Sequence, residues 1–183
     1  MRWSTHFLAG VSSLWLLSAV PGMVGTGSEP NNLGLLAGLA GLGALLPDLD
    51  AQDSKIQHLR VGGIPVFVPA ARVLGAFGHR GLLHSALGLN LLALLVVLPL
   101  ALWLGWPAAW ALLLGYASHL VLDACTRSGI PLGWPYPRRY HLLPSRLRVT
   151  TGSLAEEALL PLVALLALFL LLSTLLAGPG GGA

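Results

Sequence analysis

The sequence has very little charge: lysine, arginine, aspartate and glutamate make up only 9% of its 183 residues. A soluble domain carries about 25%. With 55% hydrophobic residues and a mean hydropathy of +0.78, this shortage excludes a water-soluble globule and leaves an integral membrane protein. Cysteine is nearly missing too, and the single Cys125 excludes an intrachain disulfide. Basic residues are absent from whole stretches of the chain, which makes their placement more informative than the net charge of +3. The bases lie in loops between apolar runs, so they give no nucleic-acid signal. At this length the chain reads as a single membrane-embedded domain over residues 1–183, with 178–183 a flexible tail.

What is abundant is apolar sequence in long runs. Five are legible: His6–Val20, Leu33–Leu46, about Leu82–Leu104, about Ala108–Ala124 and about Leu154–Ala177. They predict an all-α integral membrane protein, a bundle of about five transmembrane helices. The first run has an alternative reading as a signal peptide, with Arg2 ahead of it and small residues near Ala19 and Gly22. The second has only 14 residues. That is about 21 Å of helix, short of a hydrocarbon core of about 30 Å, so it begins inside the preceding loop or thins the bilayer. Gly34 and Gly38, with Ala37 and Gly41 beside them, form a small-residue pattern that predicts close helix approach. Pro99 is expected to kink the third span, and Trp103, Trp106 and Trp110 to form an interfacial belt. Between the second and third spans, 61–68 suggests a short hairpin and 69–77 a short interfacial helix carrying Arg72.

The bases fix an expected orientation. Arg2 precedes the first span; Lys55, Arg60, Arg72 and Arg80 lie between the second and third; Arg127, Arg138, Arg139, Arg146 and Arg148 lie between the fourth and fifth. Across five spans all of them fall on one side, which the positive-inside rule makes the cytoplasm. The chain is then a multi-pass inner-membrane protein with its N-terminus and polar loops cytoplasmic and its C-terminus outside.

That topology gathers the polar motifs at the cytoplasmic face. His6 opens the first span, and Asp48 and Asp50 close the second. In an extended segment residues i and i+2 share a face, so the two aspartates would point together at a cation. His79 and His84 flank Arg80 at the start of the third span. Gly78 and Gly81 permit a bend that turns both histidines to one site. His119 and Asp123 stand at i and i+4 on the fourth span, a spacing that suits two metal ligands or a local hydrogen bond. Ser153 and Glu156 match a capping box at the start of the fifth. Histidines and carboxylates in this number suit zinc, or manganese or iron, and exceed what one zinc ion needs, so two ions are also compatible.

The motifs Thr5-His6, Leu46-Pro47-Asp48-Leu49-Asp50, Phe77-Gly78-His79-Arg80-Gly81-Leu82-Leu83-His84-Ser85, Gly115-Tyr116, Ser118-His119, Asp123, Gly129-Ile130-Pro131-Leu132, Trp134-Pro135 and Gly152 with Glu156 together resemble the YdjM-like membrane-bound metal-dependent hydrolases of bacteria and archaea. The resemblance covers most of the chain. One departure is Leu83, where that family usually has threonine before the second histidine. The order of histidines and acids is also similar to that of the all-helical zinc-dependent phospholipase C and nuclease group, an analogy only.

The expectation is therefore a metal-dependent hydrolase at the cytoplasmic membrane face, acting on a phosphoester or lipid-derived substrate. Its expected metal ligands are His6, Asp48, His79, His119 and Asp123. Asp50, His84 and Glu156 are expected as base, further ligand or supporting partner, and Arg80 as the stabiliser of negative charge. The expected partners are membrane lipids and the substrate, with no nucleic acid. Two other classes compete. A metal-binding transporter or sensor would need polar residues deep in the spans, where only Asn90 of the third is found. A structural membrane protein would use the same ion pairs to order its loops. Other membrane hydrolases fit less well. There is no His-Glu-x-x-His and no Gly-x-Ser-x-Gly. Pro161 stands where a prenyl-protein protease pattern needs arginine, and Leu113 where a lipid phosphatase pattern does.

Overall fold

A computed structural model describes residues 1–18, 30–51, 54–76 and 80–177. Its described part is mostly helical: α1 (Trp3–Ser18), α2 (Pro30–Leu45), α3 (Val68–Gly75), α4 (Ala86–Leu92), α5 (Leu98–Leu104), α6 (Trp106–Ala124) and α7 (Leu154–Ala177). Among the described residues, two stretches are long and apolar enough to cross a membrane, Asn32–Asp50 and Ala86–Leu104.

The first of these removes the shortfall expected of the second span. α2 opens on Pro30, where a missing N–H costs nothing. It then runs directly into a 3₁₀ helix, Leu46–Asp50, that contains Pro47. The combined stretch is about 30 Å long. The third span is interrupted as Pro99 requires, but by a different device from a simple kink. A π turn, Ala93–Val97, separates α4 from α5. Pro99 has no N–H to offer the carbonyl of Leu95, and the wider turn just before it takes up that loss. Asn90 donates to the Ala86 carbonyl of its own helix at 2.8 Å, so it serves that helix instead of a neighbour.

α2 and α6 form the centre of the bundle, with α1 against both, α7 against α1 and α5 against α6. A helix-periodic stripe on α2 (Leu36, Ala40, Gly43 and Ala44) is buried and continues into Pro47 of the 3₁₀ helix. Gly34 and Gly38 lie off this stripe, exposed and with nothing near them, which corrects the expectation that they mediate close packing. The close approach uses Gly43 and Gly115 instead. A Cβ on Gly43 would collide with the Leu112 carbonyl, and one on Gly115 with the Ala40 carbonyl. The two backbones therefore touch, which sets the height of α6 against α2.

The two polar loops are folded. Arg60–Val61 pairs antiparallel with Ile64–Pro65 around Gly62 and Gly63, whose φ values of 59° and 83° suit a two-residue hairpin turn. The hairpin and α3 occupy the places expected of them. In the loop before α7, Ile130 and Tyr140 exchange backbone hydrogen bonds, and Thr126 bridges Val149. These bonds fold the loop back under the end of α6.

Candidate metal centre

Two short 3₁₀ turns and the long helices α1 and α6 deliver the polar side chains to one place. Asp48 lies in the 3₁₀ helix after α2. At three residues per turn, positions i and i+2 diverge by about 120°. Asp48 and Asp50 therefore do not share a face, which corrects the expectation from an extended segment. Asp48 turns toward His84 and His119, while Asp50 is buried and belongs to neither of the metal-capable groups.

His84 ends a second 3₁₀ turn, Leu82–His84. Ser85 caps α4 by accepting from the Gly88 N–H at 3.1 Å, and it donates to the Leu82 carbonyl at 2.6 Å. The Tyr116 hydroxyl of α6 donates to the Leu83 carbonyl, pinning the turn from the other side. Among the described residues, the left-handed one at this bend is Arg80, with φ 57°, and not Gly81, whose φ is −95°. Gly78 and His79 lie outside the described residues.

α6 supplies His119 and Asp123, both fully buried. His119 Nδ1 lies 2.7 Å from the carbonyl of Ala44. A carbonyl only accepts, so Nδ1 carries the proton and the Nε2 lone pair faces the cluster. That nitrogen is 3.2 Å from His84 Nε2, 3.7 Å from Asp48 Oδ1 and 3.9 Å from Asp123 Oδ2. His84 Nε2 is in turn 3.8 Å from Asp48 Oδ1 and 3.6 Å from Asp123 Oδ2. Ligand bonds of about 2.0–2.1 Å in a tetrahedron put donors about 3.3 Å apart. The spacings among Asp48, His84 and His119 come close to that with no rearrangement of the helices, and these three form one metal-capable group. Asp123 approaches both imidazoles but does not join Asp48 in that group, so a fourth bond from it needs a side-chain shift.

His6 completes a second group with His119 and Asp123. Its ring stacks on His119 with centroids 3.6 Å apart and planes 14° from parallel. Nε2 stands 3.4 Å from Asp123 Oδ1, and Nδ1 is buried with no hydrogen-bond partner among the described residues. The two groups share His119, and Ala44 already occupies its Nδ1. A single nitrogen is left to serve both groups, which favours one ion over two.

Asp123 also attracts cations. The Met1 amino group is 2.9 Å from Oδ1, and a terminal nitrogen of Arg80 is 3.2 Å from Oδ2. The other terminal nitrogen of Arg80 donates to the Ser128 hydroxyl. Ser128 meets Thr126 at 2.8 Å, and Thr126 donates to the Asp123 carbonyl at 2.7 Å. Sequence reasoning missed Ser128, Thr126 and the Ala44 carbonyl. No spacing rule marks a serine 48 residues from its arginine, and a backbone acceptor leaves no trace in residue identity.

Glu156 stands apart from the ligand groups, and the expected capping box does not form. Its Oε2 accepts from the Gly152 N–H at 2.7 Å, not from Ser153. Its Oε1 accepts from the Arg2 N–H and, at 3.3 Å, from the Thr5 hydroxyl. Oε1 thus ties the start of α1 to the start of α7, while Oε2 holds the turn just before α7. Glu156→Gln would turn an amide N–H toward existing donors. The expected result is a loss of about 1–3 kcal/mol, read as a lower thermal midpoint in detergent with metal content unchanged.

The described residues thus form a helical bundle with two apolar stretches of membrane-spanning length and buried histidine–carboxylate groups that could hold a metal. The family is more specific. A profile of the YdjM inner membrane protein family matches residues 1–179, and the chain belongs to that family. Inner membrane protein YdjM of Escherichia coli (strain K12) is 40% identical over 106 residues, covering 55% of this chain and 50% of that protein. The protein of the same name from Shigella flexneri gives the same figures. The chain thus spans about half the length of these two relatives. Uncharacterized protein YvsG of Bacillus subtilis (strain 168) is 30% identical over 160 residues, covering 87% of this chain and 88% of YvsG. No solved structure matches the chain.

Proposed function

We propose that this inner-membrane protein is a metal-dependent hydrolase, with about five transmembrane helices and its site at the cytoplasmic face. The observation that carries the reading is the approach of His84 Nε2 and His119 Nε2 to 3.2 Å, with carboxylate oxygens of Asp48 and Asp123 within 4 Å of them. Two imidazole lone pairs so close repel unless a cation or proton lies between them. The residues fit zinc, with manganese or iron as alternatives, and the proposed ligand set is the group Asp48, His84 and His119 with Asp123 turned in beside both imidazoles. When bound, such an ion supplies Lewis acidity to a bond under hydrolysis.

The chain's own residues set how a substrate is met. The Asp48 side chain is 22% exposed and that of Arg80 19%, whereas those of His84, His119 and Asp123 are at most 1% exposed. The site is therefore reached past Asp48 and Arg80. An anionic group entering there meets the Arg80 guanidinium first, already oriented by Ser128. Behind them His6 stacks on His119, its Nδ1 without a hydrogen-bond partner among the described residues. A phosphoester, soluble or carried on a lipid, matches this order of a cation at the entrance and buried donors behind it.

The test uses the full chain in detergent, loaded with zinc or manganese, on phosphomonoesters and phosphodiesters in soluble and lipid-borne form. Turnover is expected, abolished by chelator and reduced about 100-fold or more by Arg80→Gln. Fully metal-loaded protein that hydrolyses none of these substrates would exclude the phosphoester reading and leave the ion in a transport, sensing or structural role.

A further inference from the structure

The two long polar loops hold features that the metal centre does not use. From Cys125 to Gly152 the chain has five arginines and no acid, and from Ser54 to Ala76 it has one lysine, two arginines and no acid. Charge alone would mark only a solvated surface. The apolar residues between the bases make the difference. Val61, Ile64 and Val73 in the first segment, and Tyr136, Leu142 and Leu147 in the second, are between 61% and 75% exposed. They do not stand out because the loops are unfolded. The first segment is a paired hairpin followed by α3, and the second is bonded through Ile130, Tyr140, Thr126 and Val149. Both loops thus have a fixed backbone that holds branched and aromatic side chains outward beside Arg60, Arg72, Arg127, Arg138, Arg139 and Arg146, all exposed. Arg138 Cζ lies 5.2 Å from the centroid of the Tyr140 ring, a cation–π contact between two exposed side chains. The Arg80–Ser128 contact and the Ala86 N–H to Leu132 carbonyl bond join the second loop to the entrance of the third span.

We propose that these two loops form a rim that binds anionic phospholipid headgroups around the mouth of the metal centre. Charge complementarity selects the occupant. Arginines meet lipid phosphates, and the apolar side chains between them enter the adjoining acyl boundary, as on interfacial membrane surfaces. A nucleic acid would satisfy the arginines but leave Val61, Ile64, Leu142 and Leu147 in water. The inference does not depend on hydrolysis, since the rim would concentrate anionic lipid whatever the metal centre does.

The experiment compares the full chain with the triple variant Arg138→Gln/Arg139→Gln/Arg146→Gln in nanodiscs of equal phosphatidylglycerol and phosphatidylcholine. Lipid retained after release into detergent is measured by native mass spectrometry. The wild type is expected to keep phosphatidylglycerol over phosphatidylcholine, with the preference falling about tenfold in the triple variant and weakening as salt rises. Arg2→Gln serves as the control: Arg2 pairs with Glu157 at 2.7 Å and lies outside the rim, so the preference should stay unchanged. Equal retention of both lipids by the wild type would overturn the proposal. So would a preference that survives in the folded triple variant, or an oligonucleotide bound through these arginines with no lipid preference.

Discussion

Gly115→Val will prevent the chain from reaching its folded state: the variant is expected to lose its monodisperse peak in detergent and its cooperative thermal transition. Even the first added carbon would fall inside the Ala40 carbonyl, with the Ala44 nitrogen 2.9 Å away. The obstacle is backbone on both sides, so no rotamer change relieves it, and α2 and α6 must separate along their shared face. Over-packing by a methylene or two already costs about 1–3 kcal/mol where side chains can adjust. Here the displaced helices are those that carry Asp48 on one side and His119 and Asp123 on the other, and the His119–Ala44 bond is broken by the same movement. Gly38→Val is the matched control. Gly38 is on the same helix, exposed and with open space around it. Its replacement is expected to change stability by no more than about 0.5 kcal/mol.

His119→Ala will lower the affinity for a divalent ion at least about 100-fold, since loss of an outer-shell partner alone typically costs 10–100-fold. His119 is the residue shared by both metal-capable groups. Its proton is fixed on Nδ1 by Ala44, its other nitrogen faces His84 and the carboxylates, and its ring supports His6. The loss is measured by competition with a zinc chelator of known affinity, with circular dichroism confirming that the helices persist. His141→Ala is the control, because His141 meets the Arg127 carbonyl beside Gly129 and belongs to neither metal-capable group among the described residues; it should leave affinity unchanged. Equal affinity in His119→Ala and wild type would remove the cluster from consideration as the binding site.

Much of this was legible in the sequence, for identifiable reasons. The apolar runs follow from composition alone. The pairing of His119 with Asp123 follows from helical periodicity, and the family follows from several spaced motifs taken together. What could not be read depended on packing. Asp48 and Asp50 look like a pair in an extended segment, and the 3₁₀ turn separates them. Gly34 and Gly38 have the spacing of a contact motif, but the buried stripe of α2 runs through Ala40 and Gly43. Which stripe a helix buries depends on its partner, and both stripes here are made of small residues. Glu156 has the position of a capping residue, yet its oxygens are taken by Gly152, Arg2 and Thr5. Its tie to the start of α1 spans more than 150 residues and leaves no local signal.

The most direct test of the metal centre is X-ray absorption spectroscopy of the full chain loaded with zinc, alongside elemental analysis. The expected result is one ion per chain, with a first shell of two imidazole nitrogens and two carboxylate oxygens at about 2.0–2.1 Å. Imidazole scattering should fall by half in His84→Ala. A chain that takes up no ion while folded, or an ion held without imidazole, would contradict the assignment of His84, His119, Asp48 and Asp123.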